Sequence, residues 1–174
     1  MAYDAFLFIK GVEGESTADV KIPAGVDKKP MEIYSFSLGA SNPVTIGSAT
    51  SGAGGGKVSL SSVNIMKKSD TSSPALFQAC AKGQHFDKAI IALRKAGGDA
   101  GQSVFLQYDF SFCYIESVQW SGSTGGDDTP TESLSIAFGA VKVQYFTQDQ
   151  KGVTKPAGVG MWSAIKNTPT EAVA

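Results

Sequence analysis

Histidine and arginine occur once each in this chain of 174 residues, as His85 and Arg94, and cysteine only twice, as Cys80 and Cys113. A single histidine removes most acid–base and metal schemes, which draw on imidazoles in combination. A single arginine leaves no cluster for bidentate contacts to phosphates or bases, so nucleic acid is not an expected partner. Two cysteines without CxxC spacing supply neither a disulfide framework nor a zinc site. Charge is also scarce: 18% of residues are Asp, Glu, Lys or Arg and the formal net charge is −1, whereas ordinary soluble domains carry about 25% charged residues. No apolar run approaches the ~18–20 residues a membrane-spanning helix needs, so membrane insertion is not expected. The first residues, Met1 to Ile9, lack a basic n-region and read as a strand, not a signal peptide. These absences predict a protein made in a reducing cytoplasm. If it leaves the cell, it does so by a route that ignores signal peptides.

What is present is 42% hydrophobic residues and 20 glycines, a mix that argues against disorder and for one domain over 1–174 with a real core. Period-two alternation, the mark of strands, runs through most of the chain. Strands are predicted at Ala5 to Lys10, Met31 to Leu38, Lys57 to Met66, Lys88 to Lys95, Val104 to Tyr114, Ile115 to Ser121 and Ser133 to Phe146. The first has apolar residues on both faces and must be covered twice, in a barrel wall or an assembly. In the second, Met31, Ile33, Ser35 and Ser37 share one face. In the last, Leu134, Ile136 and Phe138 have one parity and Val141, Val143 and Tyr145 the other, so a β-bulge is expected near Gly139-Ala140. Val12 to Pro30 reads as a long connection. Gly97-Gly98 and Gly122 to Gly126 read as turns. One short helix is expected, with Ser72 or Ser73 as N-cap, Pro74 at its first position and Gly83 as its stop. Leu76, Phe77 and Cys80 form its apolar stripe. The tail, 147–174, is polar at first, but Met161, Trp162 and Ile165 predict that it docks, on its own barrel or on a neighbour.

Ser41 to Lys57 is the most glycine-rich stretch, and a structureless loop of that length is functional or disordered. Its Gly-Gly-Lys is not a phosphate loop: Ser51 stands where the first glycine belongs, Val58 replaces the Ser or Thr that would hold magnesium, and a strand follows where a helix is needed. No Gly-x-Ser-x-Gly elbow accompanies His85. Cys80 and Cys113 read as small buried hydrophobes. Asp127-Asp128 lacks the alternating oxygen spacing of a calcium loop. No catalytic site, cofactor site or metal site is expected. The rival to the reading below is a monomeric β-sandwich ligand-binding module, which would expose aromatics on a loop face. Here Phe105, Tyr108, Phe110, Phe112 and Tyr114 lie inside predicted strands, which favours core and subunit interface.

Several segments together resemble one family, the Hcp tube proteins of bacterial type VI secretion. They are Phe6-Leu7-Phe8-Ile9-Lys10 with Gly14-Glu15-Ser16, then Ser35-Phe36-Ser37-Leu38-Gly39, then the loop ending Gly56-Lys57-Val58. Lys67-Lys68-Ser69-Asp70-Thr71-Ser72-Ser73-Pro74 follows, then Ala79-Cys80 with Gly83 and His85, Arg94-Lys95-Ala96-Gly97-Gly98, and Glu132 to Phe138 before a Trp-containing tail. Leu38 stands where the family carries tryptophan. The resemblance implies a mainly β fold: a compact β-barrel of two antiparallel sheets with one short flanking α-helix, like phage tail-tube subunits. It implies homohexameric rings stacked into a hollow tube, sheath proteins around the tube, a VgrG-type spike at its tip, small secreted effectors in the channel, and no enzymatic activity. Too few residues follow Phe146 for an added effector domain. On this resemblance Ser37 faces the channel and contacts cargo. The extended glycine-rich loop (39–57), with Ser41, Asn42, Pro43, Gly52, Gly54, Gly55, Gly56 and Lys57, is the candidate for contact with the next ring.

Overall fold

Alternating apolar residues make strands wherever one side chain in two can reach a core, and strands dominate this molecule. The structure, a computed structural model, describes residues 3–45, 54–95, 102–126, 129–149 and 153–174. Along the chain lie β1 (Tyr3–Ile9), β2 (Met31–Ile33), β3 (Ser35–Ser37), β4 (Ala40–Ser41), β5 (Val44–Thr45), β6 (Gly54–Gly55), β7 (Ser59–Leu60), β8 (Val63–Lys68), α1 (Ser73–Lys82), β9 (His85–Lys95), β10 (Ser103–Ser121), β11 (Thr131–Gln148) and β12 (Thr154–Ser163). The main sheet runs β2-β1-β9-β10-β11-β8-β3, with β12 added on β11, and every pairing is antiparallel. Its two ends are consecutive pieces of one segment: β2 pairs β1, β3 pairs β8, and only Tyr34 separates them. The sheet therefore comes round on itself, mainly β with a single flanking helix, as expected.

Inside lie Leu7, Met31, Ile65, Ile91, Phe110, Leu134 and Ile136, with Leu76 and Ala79 of α1 closing one side. Each fully buried side chain of this size contributes about 1.5–3 kcal/mol. The second apolar face of β1 is covered by the chain itself. Phe6 and Phe8, with Ile90 and Ala92 of β9, pack under Ala18, Val20 and Val26 of the 12–30 connection. That connection is pinned by Gly14 and Ser16, whose N–H groups donate to Lys29 and Pro30 carbonyls at 2.9 and 3.1 Å. A Cβ at Gly14 would sit 2.1 Å from the Pro30 oxygen, so only glycine permits this approach.

The two strands expected at 104–114 and 115–121 are one, β10, whose register shifts at Phe105 and Glu116. The parity change in β11 falls where expected, yet no residue is inserted there: the register to β10 is unshifted from Ile136 to Tyr145, and only the Phe112/Gly139 pair is missing from the ladder. Both strands kink together instead. Phe112 takes φ 57°, and Gly139 admits Ile165 Cδ1 at 2.7 Å and Phe112 Cβ at 3.3 Å from where a Cβ would stand. The tail docks on its own barrel. Its strand β12 pairs β11 from Ala140 to Gln148 with a register shift near Tyr145-Phe146, and Ala164 N–H donates to the Gly139 carbonyl at 2.9 Å. Gly97-Gly98 and Asp127-Asp128 lie outside the described residues.

Helix α1 ends as predicted, at Gly83 with φ 62°, the left-handed stop that glycine adopts without penalty. Its start is organised by Asp70, not by a hydroxyl cap: Asp70 Oδ1 accepts from Ser72 N–H at 2.9 Å and from Lys67 Nζ at 2.7 Å. Lys67 is fully buried and reaches Glu132 Oε1 at 2.6 Å, while Trp120 Nε1 donates to Glu132 Oε2 at 2.9 Å. The Lys-x-x-Asp-x-Ser-Ser-Pro segment is thus a structural latch between helix and sheet. Phe77 departs from the predicted stripe: it is half exposed and rests on the Trp120 ring at 5.6 Å.

Candidate functional site

Ser37 lies on a sheet face with a regular cross-strand pattern. Sequence alternation places Ser35 and Ser37 with Met31 and Ile33, but the structure turns them to the opposite side. Parity switches at Tyr34, whose N–H donates to the Met66 carbonyl at 2.8 Å. There the segment leaves β1 for β8, so Phe36 packs on the core and both serines are exposed. Register then aligns two rows. One is Ser37, Asn64, Ser135 and Ser117; the other is Ser35, Met66, Ser133 and Gln119. Their strand neighbours Val63, Ile65, Leu134 and Ile136 point inward and are buried, which fixes the outward face. Glu116, the extra residue at the β10 register shift, accepts from Ser135 Oγ at 3.0 Å. None of the row-mates of Ser37 was singled out from sequence; alternation in β8 and β11 marks them as outward but not as neighbours.

The glycine-rich loop is not structureless. It leaves the sheet as a two-step hairpin arm: Ser41 pairs Ser59 and Ala40 pairs Leu60, then Val44 pairs Gly55 and Thr45 pairs Gly54. Gly39 N–H donates to Ser61 Oγ at 2.7 Å at its base. Gly56 N–H donates to the Pro43 carbonyl at 2.9 Å. A Cβ on Gly56 would lie 2.9 Å from that oxygen, so this close approach also requires glycine. Asn42 and Lys57 are exposed on the arm, and Gly52 falls outside the described residues. Between the arm base (Val58, Leu60) and Val141, Val143, Met161 and Trp162 runs an apolar groove of about 460 Å³.

Several ionisable groups are held by opposite charges. Asp109 is buried on the far side of β10 from Phe110 and faces Lys88 Nζ at 3.4 Å and Lys142 Nζ at 3.3 Å. Burial pulls the Lys142 ammonium down, but Glu171 and Asp109 outweigh it and hold it above its ordinary value. Exposed His85 sits 3.3 Å from Asp87 and packs on Phe112 and Tyr114. The hydrogen bond and charge of Lys10 hold Asp87 below the usual carboxylate range. Burial pushes the Cys113 thiol up to about 12, leaving it an inert hydrophobe. Among the described residues no three metal-ligating side chains converge, and no helix is long and apolar enough to cross a membrane.

Comparison with known proteins identifies the family to which the fold belongs. The family model described as "Type VI secretion system effector, Hcp" matches residues 6–145. Protein hcp1 of Pseudomonas aeruginosa is 35% identical over 96 residues, which is 55% of this chain and 58% of that relative's length. Among solved structures, one titled "Structure of a type six secretion system protein" superposes with a TM-score of 0.85 at 34% identity, covering 97% of this chain and 100% of the other. Hcp1 from Salmonella typhimurium superposes with a TM-score of 0.74 at 29% identity, covering 98% and 100%. With the family model spanning most of the chain and a solved type VI secretion protein superposing over 97% of it, the chain belongs to the Hcp family of type VI secretion proteins.

Proposed function

We propose that this chain is the structural tube subunit of a type VI secretion system. It acts as one domain, closes into homohexameric rings, and the rings stack into a hollow tube that carries small effector proteins through the envelope. Sheath proteins surround the tube and a VgrG-type spike caps it. The chain leaves the cell by that machinery, not by a signal peptide, and performs no catalysis. The supporting observation is how the exposed surface divides. The sheet face around Ser37 is mostly polar, with Met66 as its one large exposed apolar side chain, which suits a bore. Elsewhere large apolar groups stand in solvent: Tyr145 at 44%, Val159 at 52%, Ile165 at 54%, Phe77 at 51% and Trp120 at 50% exposure. Those patches differ from one another, as head-to-tail contacts around a ring require. Exposed aromatics lie on strands or on α1, apart from Tyr34 between β2 and β3, which disfavours a loop-borne ligand site. Ser37 is the cargo-facing residue of this reading. The arm bearing Ser41, Asn42, Pro43, Gly52, Gly54, Gly55, Gly56 and Lys57 is its contact with the next ring.

Light scattering on the purified chain tests the ring: the expected mass is six times the 18.1 kDa subunit, and a monomer at high concentration overturns it. Deleting residues 46–53 leaves that mass unchanged and abolishes tubes in electron micrographs. Loss of the ring itself would give the arm a different role.

A further inference from the structure

The register around Ser37 defines a chemistry as well as a face. The rows Ser37-Asn64-Ser135-Ser117 and Ser35-Met66-Ser133-Gln119 carry hydroxyls, two amides and one thioether, and no charge. Resting on the reading of this face as the bore wall, we propose that the grid engages protein cargo through uncharged polar surface, with Met66 as its one apolar contact, and so selects against strongly charged cargo of either sign.

Serine hydroxyls and the amides of Asn64 and Gln119 each donate and accept, so the grid can pair with whatever neutral polar group is pressed against it. A cargo carboxylate or ammonium can also hydrogen-bond to these groups, but the rows offer it no opposite charge. Such a group loses hydration against a neutral wall without gaining a counter-ion, a net cost. The charges bordering the grid oppose each other in sign. Glu116 already accepts from Ser135 Oγ at 3.0 Å, and Lys68 lies one row beyond Met66, opposite Thr131. Met66 is 47% exposed and is flanked across the sheet by Ser35 and Ser133, two side chains too short to screen it. An unbranched thioether standing clear of its neighbours fits itself to apolar patches of varied shape, which suits a wall that carries more than one cargo.

The test uses three surface variants of one small folded protein as probes: strongly anionic, near-neutral and strongly cationic. Each is co-purified with assembled rings by size exclusion at about 0.1 M and 1 M salt, a range over which the Debye length falls from about 10 Å to 3 Å. The near-neutral probe is expected to be retained best, with retention changing less than about twofold across the salt range. Met66→Ser lowers its retention about fivefold, from the lost apolar contact, with ring mass unchanged. Ser37→Glu makes retention of the cationic probe rise at low salt and vanish at high salt. Wild-type rings that retain a charged probe best, that lose all probes on adding salt, or that retain none overturn the proposal while leaving the tube reading intact. Failure to form rings overturns the tube reading itself.

Discussion

Replacing Lys67 by methionine keeps the buried stem and removes only the ammonium, so it isolates the electrostatic part of the helix–sheet latch. In the wild type Nζ lies 2.6 Å from Glu132 Oε1 and 2.7 Å from Asp70 Oδ1 and donates to the Lys68 carbonyl at 3.0 Å. Both Lys67 and Glu132 side chains are 0% exposed. Without the cation, Glu132 keeps Trp120 Nε1 at 2.9 Å and Ser69 Oγ at 3.4 Å as donors, and its charge is left uncompensated. Removing one partner of such a buried pair costs about 3–5 kcal/mol, a large share of the roughly 5–15 kcal/mol by which domains are stable. At about 2–4 °C per kcal/mol for this chain length, the melting temperature falls by roughly 6–20 °C. Guanidinium unfolding followed by circular dichroism, at fixed protein concentration because assembly adds to apparent stability, should show a lower midpoint with unchanged slope. The double variant Lys67→Met/Glu132→Leu recovers much of the loss, because the orphaned charge is gone. A loss below about 1 kcal/mol for the single variant would refute the reasoning and make the cluster a solvated surface set.

Gly139→Ala places a methyl 2.7 Å from Ile165 Cδ1 and 3.3 Å from Phe112 Cβ; a loss of about 1–3 kcal/mol in urea unfolding is expected, and no change would mean that the tail does not dock there. Ellman's reagent at pH 8 should titrate at most Cys80 in the native protein and both thiols after denaturation, since burial holds the Cys113 thiol near 12; fast reaction of both in the native state contradicts that burial. In an NMR titration Asp87 should protonate below the ordinary carboxylate range, because Lys10 stabilises its charged form. Its contribution to stability is therefore present above the unfolded value of about 3.9 and disappears as pH falls through the lower folded value. Lys10→Met brings the midpoint back up, and an unmoved midpoint removes Lys10 as the cause.

The period-two signal carried the long strands and the Pro74 and Gly83 punctuation carried the helix, because each of these obeys a local rule. What local rules could not supply were changes of partner. Nothing at Tyr34 resembles a break, yet handing the segment from β1 to β8 turns Ser35 and Ser37 outward and sends Phe36 in. Parity in β10 and β11 likewise changes through a shared kink at Phe112 and Gly139, which a one-strand reading interprets as a bulge. Strand β12 carries no strand signal because Thr154 to Met161 is exposed on both faces and therefore shows no alternation; Pro156, Gly158 and Gly160 also read as loop. Phe77 looked like core because the helical stripe cannot tell a sheet below from the Trp120 ring beside it. Most of Ser37's neighbourhood was hidden for a simpler reason: it is assembled across four strands, by register.

The central claim is that this chain works as a ring with a polar bore. Negative-stain electron microscopy of the purified protein tests it most directly: the account predicts six-fold annular particles with a stain-filled centre. Discrete single-subunit particles at every concentration would contradict it.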